Sequence, residues 1–388
     1  MRYAFRLAEL LGHNPDRKRR PGTIKAIVEY TGLDRHQVSA LLRNEVKYIP
    51  MQALSRLCDY LVEHGHVAPD QLPGALFAVE AEDFWELLAR RRRLELCMGV
   101  RCEDELGETA WIVASDSVLL GELLNGVSTL GGAARQCYKS GHANRPHPEH
   151  LKQTLVWSPG QREDIEVRRL AVEARREFTG STGDKALVCI GSVKSNPVVE
   201  VMMAQTFGCE PFRTQDHVAS IDQRACPVFL RYREHDPHHE SCSGGLRLSS
   251  DHPSPKPGIY YETRSGEWRV CEWDAAERDV AFVFYAHRES QGCLEMALAG
   301  FSGRSTRLLA KTLATRAQDF WPPIYEDHGV RIGAFVVQYT LATSDDQARD
   351  MLRTDLSAGT KIIPIDREVI ERRWTASKLG QDAVSAVS

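Results

Sequence analysis

Between Gly22 and Val62 apolar residues recur at spacings of three and four in three short runs, and the runs are separated by residues that turn or cap a chain. Ile24, Ile27 and Val28 share one helical face, Gly32 can take the positive φ of a tight turn, and Asp34 offers a side-chain oxygen to the helix that follows. Val38, Leu41 and Leu42 repeat the spacing. After the linker Glu45 to Pro50, Met51, Leu54, Leu57, Cys58 and Leu61 supply a third amphipathic helix, so the unit closes on itself. Two short helices joined by a tight turn and followed by a third have the layout of a helix-turn-helix.

The second of these helices leaves Arg35, His36, Gln37, Ser39, Ala40 and Arg43 on its outer face, where long polar donors reach base edges and phosphates. Thr23-Ile24-Lys25, Thr31-Gly32-Leu33, Asp34-Arg35-His36-Gln37-Val38-Ser39, Leu41-Leu42-Arg43-Asn44 and Leu54, Leu57 and Cys58 resemble the Cro and lambda-repressor type (Xre-type) helix-turn-helix family. The resemblance covers residues 1–76. It implies a five-helix domain that binds double-stranded DNA, usually as a dimer, with its third helix in the major groove. It makes Arg35, His36, Gln37 and Ser39 the base-reading candidates, with Arg43 beside them. The first helix is expected near Ala4 to Leu11. The insertion His13 to Pro21 is longer than the family usually has; its Lys18, Arg19 and Arg20 read either as an arm on DNA or as a solvated loop. The alternative for the whole unit is a helical hairpin used for protein contact.

Charge leans toward DNA. Residues 1–93 hold 15 basic and 12 acidic side chains, a net +3, and the remainder carries −7, which together give the chain's −4. A basic head on an acidic body is expected when only one end meets phosphate. At 388 residues the chain suits two or three domains. No apolar run approaches the roughly 20 residues of a membrane span, and the first residues read as helix and not as a signal peptide, so a cytoplasmic location without membrane contact is expected. Ten cysteines without a C-x-x-C pair read as reduced, mostly buried thiols.

Beyond the head the pattern alternates. Residues 77–94 read as a connecting helix ending in Arg90 to Arg93, a run that suits a solvated face better than phosphate contact. Strands are expected at Leu94–Val100, Ala110–Ala114, Thr154–Trp157 and Ala186–Ile190, with helices between them. Residues 212–272 read as a β-rich insertion. The alternation returns with strands at Val280–Ala286, Cys293–Ala299 and Ile332–Leu341 and a helix from Ser305 to Phe320. The expected fold class is α plus α/β: a helical head, 1–76, followed by a larger Rossmann-like region with a largely parallel sheet. Its parts are an α/β ligand-sensing lobe, 95–211, the insertion, a second α/β lobe, 273–374, and a disordered tail, 375–388.

Two strand-to-helix junctions carry the candidate ligand site. Gly191, Ser192, Lys194, Ser195 and Asn196 follow one apolar strand; Gly300, Ser302, Gly303, Arg304, Ser305 and Thr306 follow another. Each combines a glycine, hydroxyls, a cation and a helix start, the elements of an anion cradle. Asp116, at a further strand end, is placed to hold a hydroxyl or amine. A phosphorylated or nucleotide-like effector is expected, though capping alone also explains such residues. The motifs specify no cofactor. His235, His239 and Cys242 are of ligand type but lack a second group at zinc spacing, so no metal is expected. The leading reading is a ligand-responsive DNA-binding regulator acting as a homodimer. The alternatives are a nucleotide hydrolase or glycosidic-bond transferase using Asp116, Glu122 or Glu200 as acid or base, and a partner-binding platform.

Overall fold

The computed structural model describes residues 3–11, 23–69, 72, 76–79, 81–102, 109–130, 150–180, 184–288, 291–327, 330–341 and 359–374. The insertion around Lys18, Arg19 and Arg20 and the tail from Thr375 lie outside the described residues.

The head comprises β1 (Tyr3–Phe5), α1 (Leu7–Leu10), α2 (Thr23–Thr31), α3 (Arg35–Leu42), α4 (Met51–Glu63) and β2 (Phe77–Val79). Ile27, Val38, Leu41, Leu57 and Leu61 from the three amphipathic runs meet Leu7, Leu33 and Leu76 in its core. The helix expected over Ala4 to Leu11 is a single turn, because Tyr3–Phe5 pairs antiparallel with Phe77–Val79. The Phe5 amide also donates to Asn44 Oδ1 at 2.7 Å. Strand pairing with the returning chain overrides local helix preference there. Among the described residues of the head four helices are seen, where the resemblance implied five.

Residues 77–94, expected as one helix, instead hold β2 and the six-residue α5 (Phe84–Ala89), which Asp83 caps. Of the arginine run, Arg92 is exposed, but the other three are not on a solvated face. Arg90 pairs with Glu86 at 2.9 Å, Arg91 with Asp184 at 2.5 Å and Arg93 with Glu95 at 2.6 Å, all with largely buried carboxylates.

The body continues with β3 (Arg93–Cys102), β4 (Ala110–Trp111), α6 (Ala114–Thr129), β5 (His150–Trp157), α7 (Asp164–Gly180), β6 (Lys185–Ile190) and α8 (Pro197–Thr206). Next come β7 (Val228–Arg231), β8 (Gly244–Gly245), β9 (Gly258–Glu262) and β10 (Trp268–Glu272), which make a four-stranded sheet in the order β10-β9-β7-β8. The chain then gives β11 (Arg278–Arg288), β12 (Cys293–Gly300), α9 (Gly303–Arg316), β13 (Tyr325–Asp327), β14 (Val330–Thr340) and β15 (Thr360–Pro364).

Strands from 93–190 and from 278–364 share one large sheet, ordered β5-β3-β6-β12-β11-β14, with β15 and β13 both on the outer edge of β14. β5, β3, β6 and β12 run parallel. β11, β14 and β15 are antiparallel to their neighbours. The largely parallel sheet expected from the sequence is therefore confined to one half. The cause is the four-residue link from Arg288 to Cys293, since a parallel crossover needs a dozen or more residues.

The sheet is covered on both faces. α5, α6 and α9 pack on one through Leu88, Leu119, Leu123, Leu308 and Leu313. α7, α8 and part of the small sheet pack on the other through Phe178, Val198, Met202 and Ile259. β6 and β12 are accordingly buried along their whole length. Among the described residues no helix is long and apolar enough to cross a membrane.

Candidate nucleic-acid interface and sheet-edge site

The turn between α2 and α3 is built by three local devices. Thr31 Oγ1 donates to the Ile27 carbonyl at 2.6 Å and accepts from the Leu33 amide at 3.3 Å. Gly32 has a φ of 75°, where a glycine is unstrained. Asp34 and Gln37 form a capping box: the Gln37 amide donates to Asp34 Oδ1 at 2.8 Å and the Asp34 amide to Gln37 Oε1 at 3.1 Å. Leu33, Val38 and Leu41 sink into the core and fix the helix below.

Arg35 and His36 are exposed on α3, Arg43 is exposed just past its end, and Gln37 and Ser39 are half-buried. Arg35 and His36 occupy the first turn, the part of a recognition helix that meets base edges. Gln37 spends its carbonyl oxygen on the capping box, which leaves its amide nitrogen to donate outward. Arg43 follows the last turn, and its Nε meets Glu45 Oε2 at 2.7 Å in an exposed, weak pair. Met51, assigned from the sequence to the buried face of α4, is 76% exposed beside Tyr48 at 74%. Helical spacing alone did not separate it from its core neighbours, because the first residue of a helix has no preceding turn to cover it.

At the carboxyl edge of the parallel strands three helices begin. α6 and α9, which follow the β3–β4 hairpin and β12, lie on one face; α8, which follows the intervening β6, lies on the other. Where helices leave neighbouring strand ends toward opposite faces, α/β sheets in general take their ligands. Ser115 and Asp116 in the first turn of α6 adjoin α9: a Cβ added to Gly303 would stand 3.3 Å from Ser115 Oγ.

Most of the expected anion-cradle groups are committed to the protein itself. Lys194 Nζ reaches Asp236 Oδ2 at 3.1 Å and the Phe301 carbonyl at 2.9 Å. Burial pushes the Lys194 ammonium down to about 8, against the pull of Asp236. Asn196 caps α8 and donates to the Cys97 and Ile190 carbonyls at 3.0 and 3.1 Å. Ser195 Oγ donates to the Ser192 carbonyl, and the Ser192 hydroxyl accepts from the Lys194 amide. Gly191, with a φ of 103°, turns the chain out of β6.

In the second loop Ser302 caps α9 in a box with Ser305, and Thr306 Oγ1 donates back to the Ser302 carbonyl at 3.0 Å. Arg304 Nε meets the buried Asp279 at 3.1 Å, and its other nitrogens meet the carbonyls of Asp274, Ala275 and Arg278. Gly300 lets the chain pass close to Thr306, where a Cβ would stand 2.4 Å from the backbone nitrogen.

Asp116 differs from these. It is 5% exposed, and Ser115 Oγ, at 3.4 Å, is its hydrogen-bond partner among the described residues. Burial raises its carboxyl above the ordinary value, opposed by Ser115 and by the charge of Arg101. A buried carboxylate with so thin a partner set marks a candidate site.

The other candidates have structural work. Glu200 is 1% exposed and accepts from the Phe212 and Cys242 amides at 2.9 and 2.7 Å and from Ser241 Oγ, so it pins the 241–243 turn to α8. Burial raises its carboxyl, against these donors. Glu122 meets Asn125 Nδ2 at 3.4 Å. His235 is exposed, and His239 Nε2 lies 2.8 Å from the Val193 carbonyl. Cys242 gathers with Cys209 and Cys226 and not with these histidines. Sequence inspection missed the two distant cysteines because 16 and 15 residues separate the three, a spacing without a short motif.

Residues 17–62 match the family model of the Cro/C1-type HTH DNA-binding domain. No match was found among curated proteins or among solved structures. The matched segment spans α2, α3 and most of α4 and includes Lys18, Arg19, Arg20 and all the α3 candidates.

Proposed function

We propose that the chain is a sequence-specific transcriptional regulator in which α3 reads bases through Arg35, His36 and Gln37 and the α/β body senses a small molecule. The observation that carries the first half is the capped, core-anchored α3 of a Cro/C1-type domain with Arg35 and His36 exposed on its first turn. Ser39 and Arg43 contribute at its flank, and Lys18, Arg19 and Arg20 add phosphate contacts. Two copies of the chain read paired half-sites. Selection of random duplexes by the full chain enriches one two-fold related sequence; a pool that stays random after repeated rounds sinks this reading.

The sensing half rests on Asp116 at the divergence of α6, α8 and α9. Lys194 and Arg304 are already neutralised by Asp236 and Asp279, which argues against a phosphate as the principal handle. The class that suits Asp116 is a nucleoside-like molecule offering a hydroxyl or amine. Such a ligand changes operator affinity by about 1–3 kcal/mol through unequal binding to two arrangements of the heads. A thermal-shift panel of nucleosides and nucleotides on the full chain tests it: the expected shift comes from nucleosides and is lost in Asp116→Asn. Absence of any shift removes the sensing half and leaves the DNA reading intact.

A further inference from the structure

Cys209, Cys226 and Cys242 come from three separate segments, yet their sulfurs all lie within 4.8 Å of one another. Cys209 stands just past α8, where Gly208, with a φ of 67°, turns the chain and the Cys209 amide donates to the Ala204 carbonyl at 2.9 Å. One residue separates Cys226 from the start of β7, and one separates Cys242 from the start of β8. Cys242 is positioned through its amide, which donates to the buried Glu200 at 2.7 Å. Cys226 and Cys242 are fully buried and Cys209 is half-buried, so Cys209 is the most exposed member of the cluster.

We propose that these three cysteines form a thiolate site for a soft closed-shell cation of the zinc class, which clips the small sheet to the end of α8. Sulfurs bound to one zinc at about 2.3 Å with tetrahedral angles stand about 3.8 Å apart. The Cys226 and Cys242 sulfurs are 3.8 Å apart. Three thiolates around a divalent cation carry one net negative charge, and a buried charge needs a partner. Arg224 fits that need: its side chain is fully buried, and it donates to the carbonyls of Leu248, Cys242 and Arg247. Its nearest carboxylate, Asp216, is 3.8 Å away and also accepts from the Leu246 and Arg247 amides. The fourth tetrahedral position falls to a solvent-derived ligand on the Cys209 side.

The clip has mechanical sense. β8 is two residues long and, among the described residues, pairs with β7 alone, so few ladder bonds tie the 233–250 segment to the sheet. A cation joining Cys242 to Cys209 and Cys226 fixes that segment to both the sheet and the helix.

Metal analysis of the full chain purified under reducing conditions without chelator gives about one zinc per chain. Cys226→Ser and Cys242→Ser each lower it at least roughly tenfold, while Cys58→Ser in the head leaves it unchanged. Because the buried variants can fail to fold, the wild-type chain is also stripped with a chelator and titrated with cobalt(II), which gives thiolate-to-cobalt charge-transfer absorption saturating at one equivalent. A folded wild-type chain that holds no zinc and develops no such absorption overturns the proposal. So does a disulfide between any two of the three cysteines in the native chain, found by peptide mapping.

Discussion

Lys194 Nζ donates to the Phe301 carbonyl at 2.9 Å and stands 4.0 Å over the Phe301 ring, so the loop after β6 is anchored on the loop after β12. Its charge is shared with Asp236, which Arg233 also grips through Nε and NH2. Lys194→Met keeps the stem and removes the charge. We expect a loss of about 2 kcal/mol in urea denaturation, below the roughly 3–5 kcal/mol of an orphaned buried charge, because Arg233 still satisfies Asp236. A loss under about 0.5 kcal/mol, the level of an ordinary surface change, would show that the tie between the loops carries no stability.

Asp116 opposes folding at neutral pH. Its folded carboxyl is raised by burial, so the unfolded chain loses that proton first as pH rises, and between the two values the folded state binds more protons. Stability attached to this group is complete below the ordinary carboxylate value and is lost as pH rises through the folded one. Asp116→Asn therefore raises the melting temperature at pH 7. The gain shrinks on acidification into the carboxylate range, and a gain independent of pH would contradict the assignment.

His287 acts in the opposite direction. It is 6% exposed, and burial, followed by the charges of Arg91, Arg331, Arg288 and Arg6, holds its imidazole well below the ordinary value. The unfolded chain takes up a proton near pH 6.5 that the folded chain refuses, so stability is full above that pH and falls below it. His287→Leu should flatten the fall by up to about 1.4 kcal/mol per pH unit. Urea midpoints of both chains on either side of pH 6.5 measure the difference, and parallel curves rule His287 out as the source.

Gly126 allows α6 to approach α5. A Cβ there would lie 2.1 Å from the Trp85 ring, which is 2% exposed and has no room to retreat. Gly126→Ala is expected to cost about 1–3 kcal/mol as overpacking and to change Trp85 fluorescence. A variant as stable as the parent would mean that α6 shifts freely on the sheet.

What could be read from residues alone follows the range of the forces involved. Asp34, Gly32 and the Ile27, Val38 and Leu41 spacing act within one or two turns, and the family match over residues 17–62 agrees with them. The strand at Ala186–Ile190 was legible because both its faces are buried, which leaves an apolar run. The antiparallel pairing of β11 with β14 was not, because it depends on which strand each selects across the fold. Lys194 and Arg304 looked like ligand cations for the same reason: their partners, Asp236 and Asp279, lie 42 and 25 residues away. β1 escaped notice because its partner is more than 70 residues downstream.

Gln37 serves both the fold and the proposed reading of DNA, and the two roles separate by substitution. Gln37→Ala removes one half of the capping box and the outward amide, so it loses stability as well as discrimination. Gln37→Glu keeps an acceptor for the Asp34 amide, since glutamate serves in a capping box as glutamine does. It loses the donor and places a negative charge toward the bases. We therefore expect Gln37→Glu to melt within about 0.5 kcal/mol of the parent, as ordinary surface changes do, while losing about 1–3 kcal/mol of discrimination between operator and a variant base pair. Asp34→Ala does the reverse, costing about 1 kcal/mol of stability with the base preference retained in the folded fraction. Lys18→Ala lowers affinity evenly for all sequences and reduces the salt slope by about one. Fluorescence anisotropy on operator and random duplexes at several salt concentrations reads all four variants. Unchanged discrimination in Gln37→Glu would assign Gln37 to the cap alone and leave base reading to Arg35 and His36.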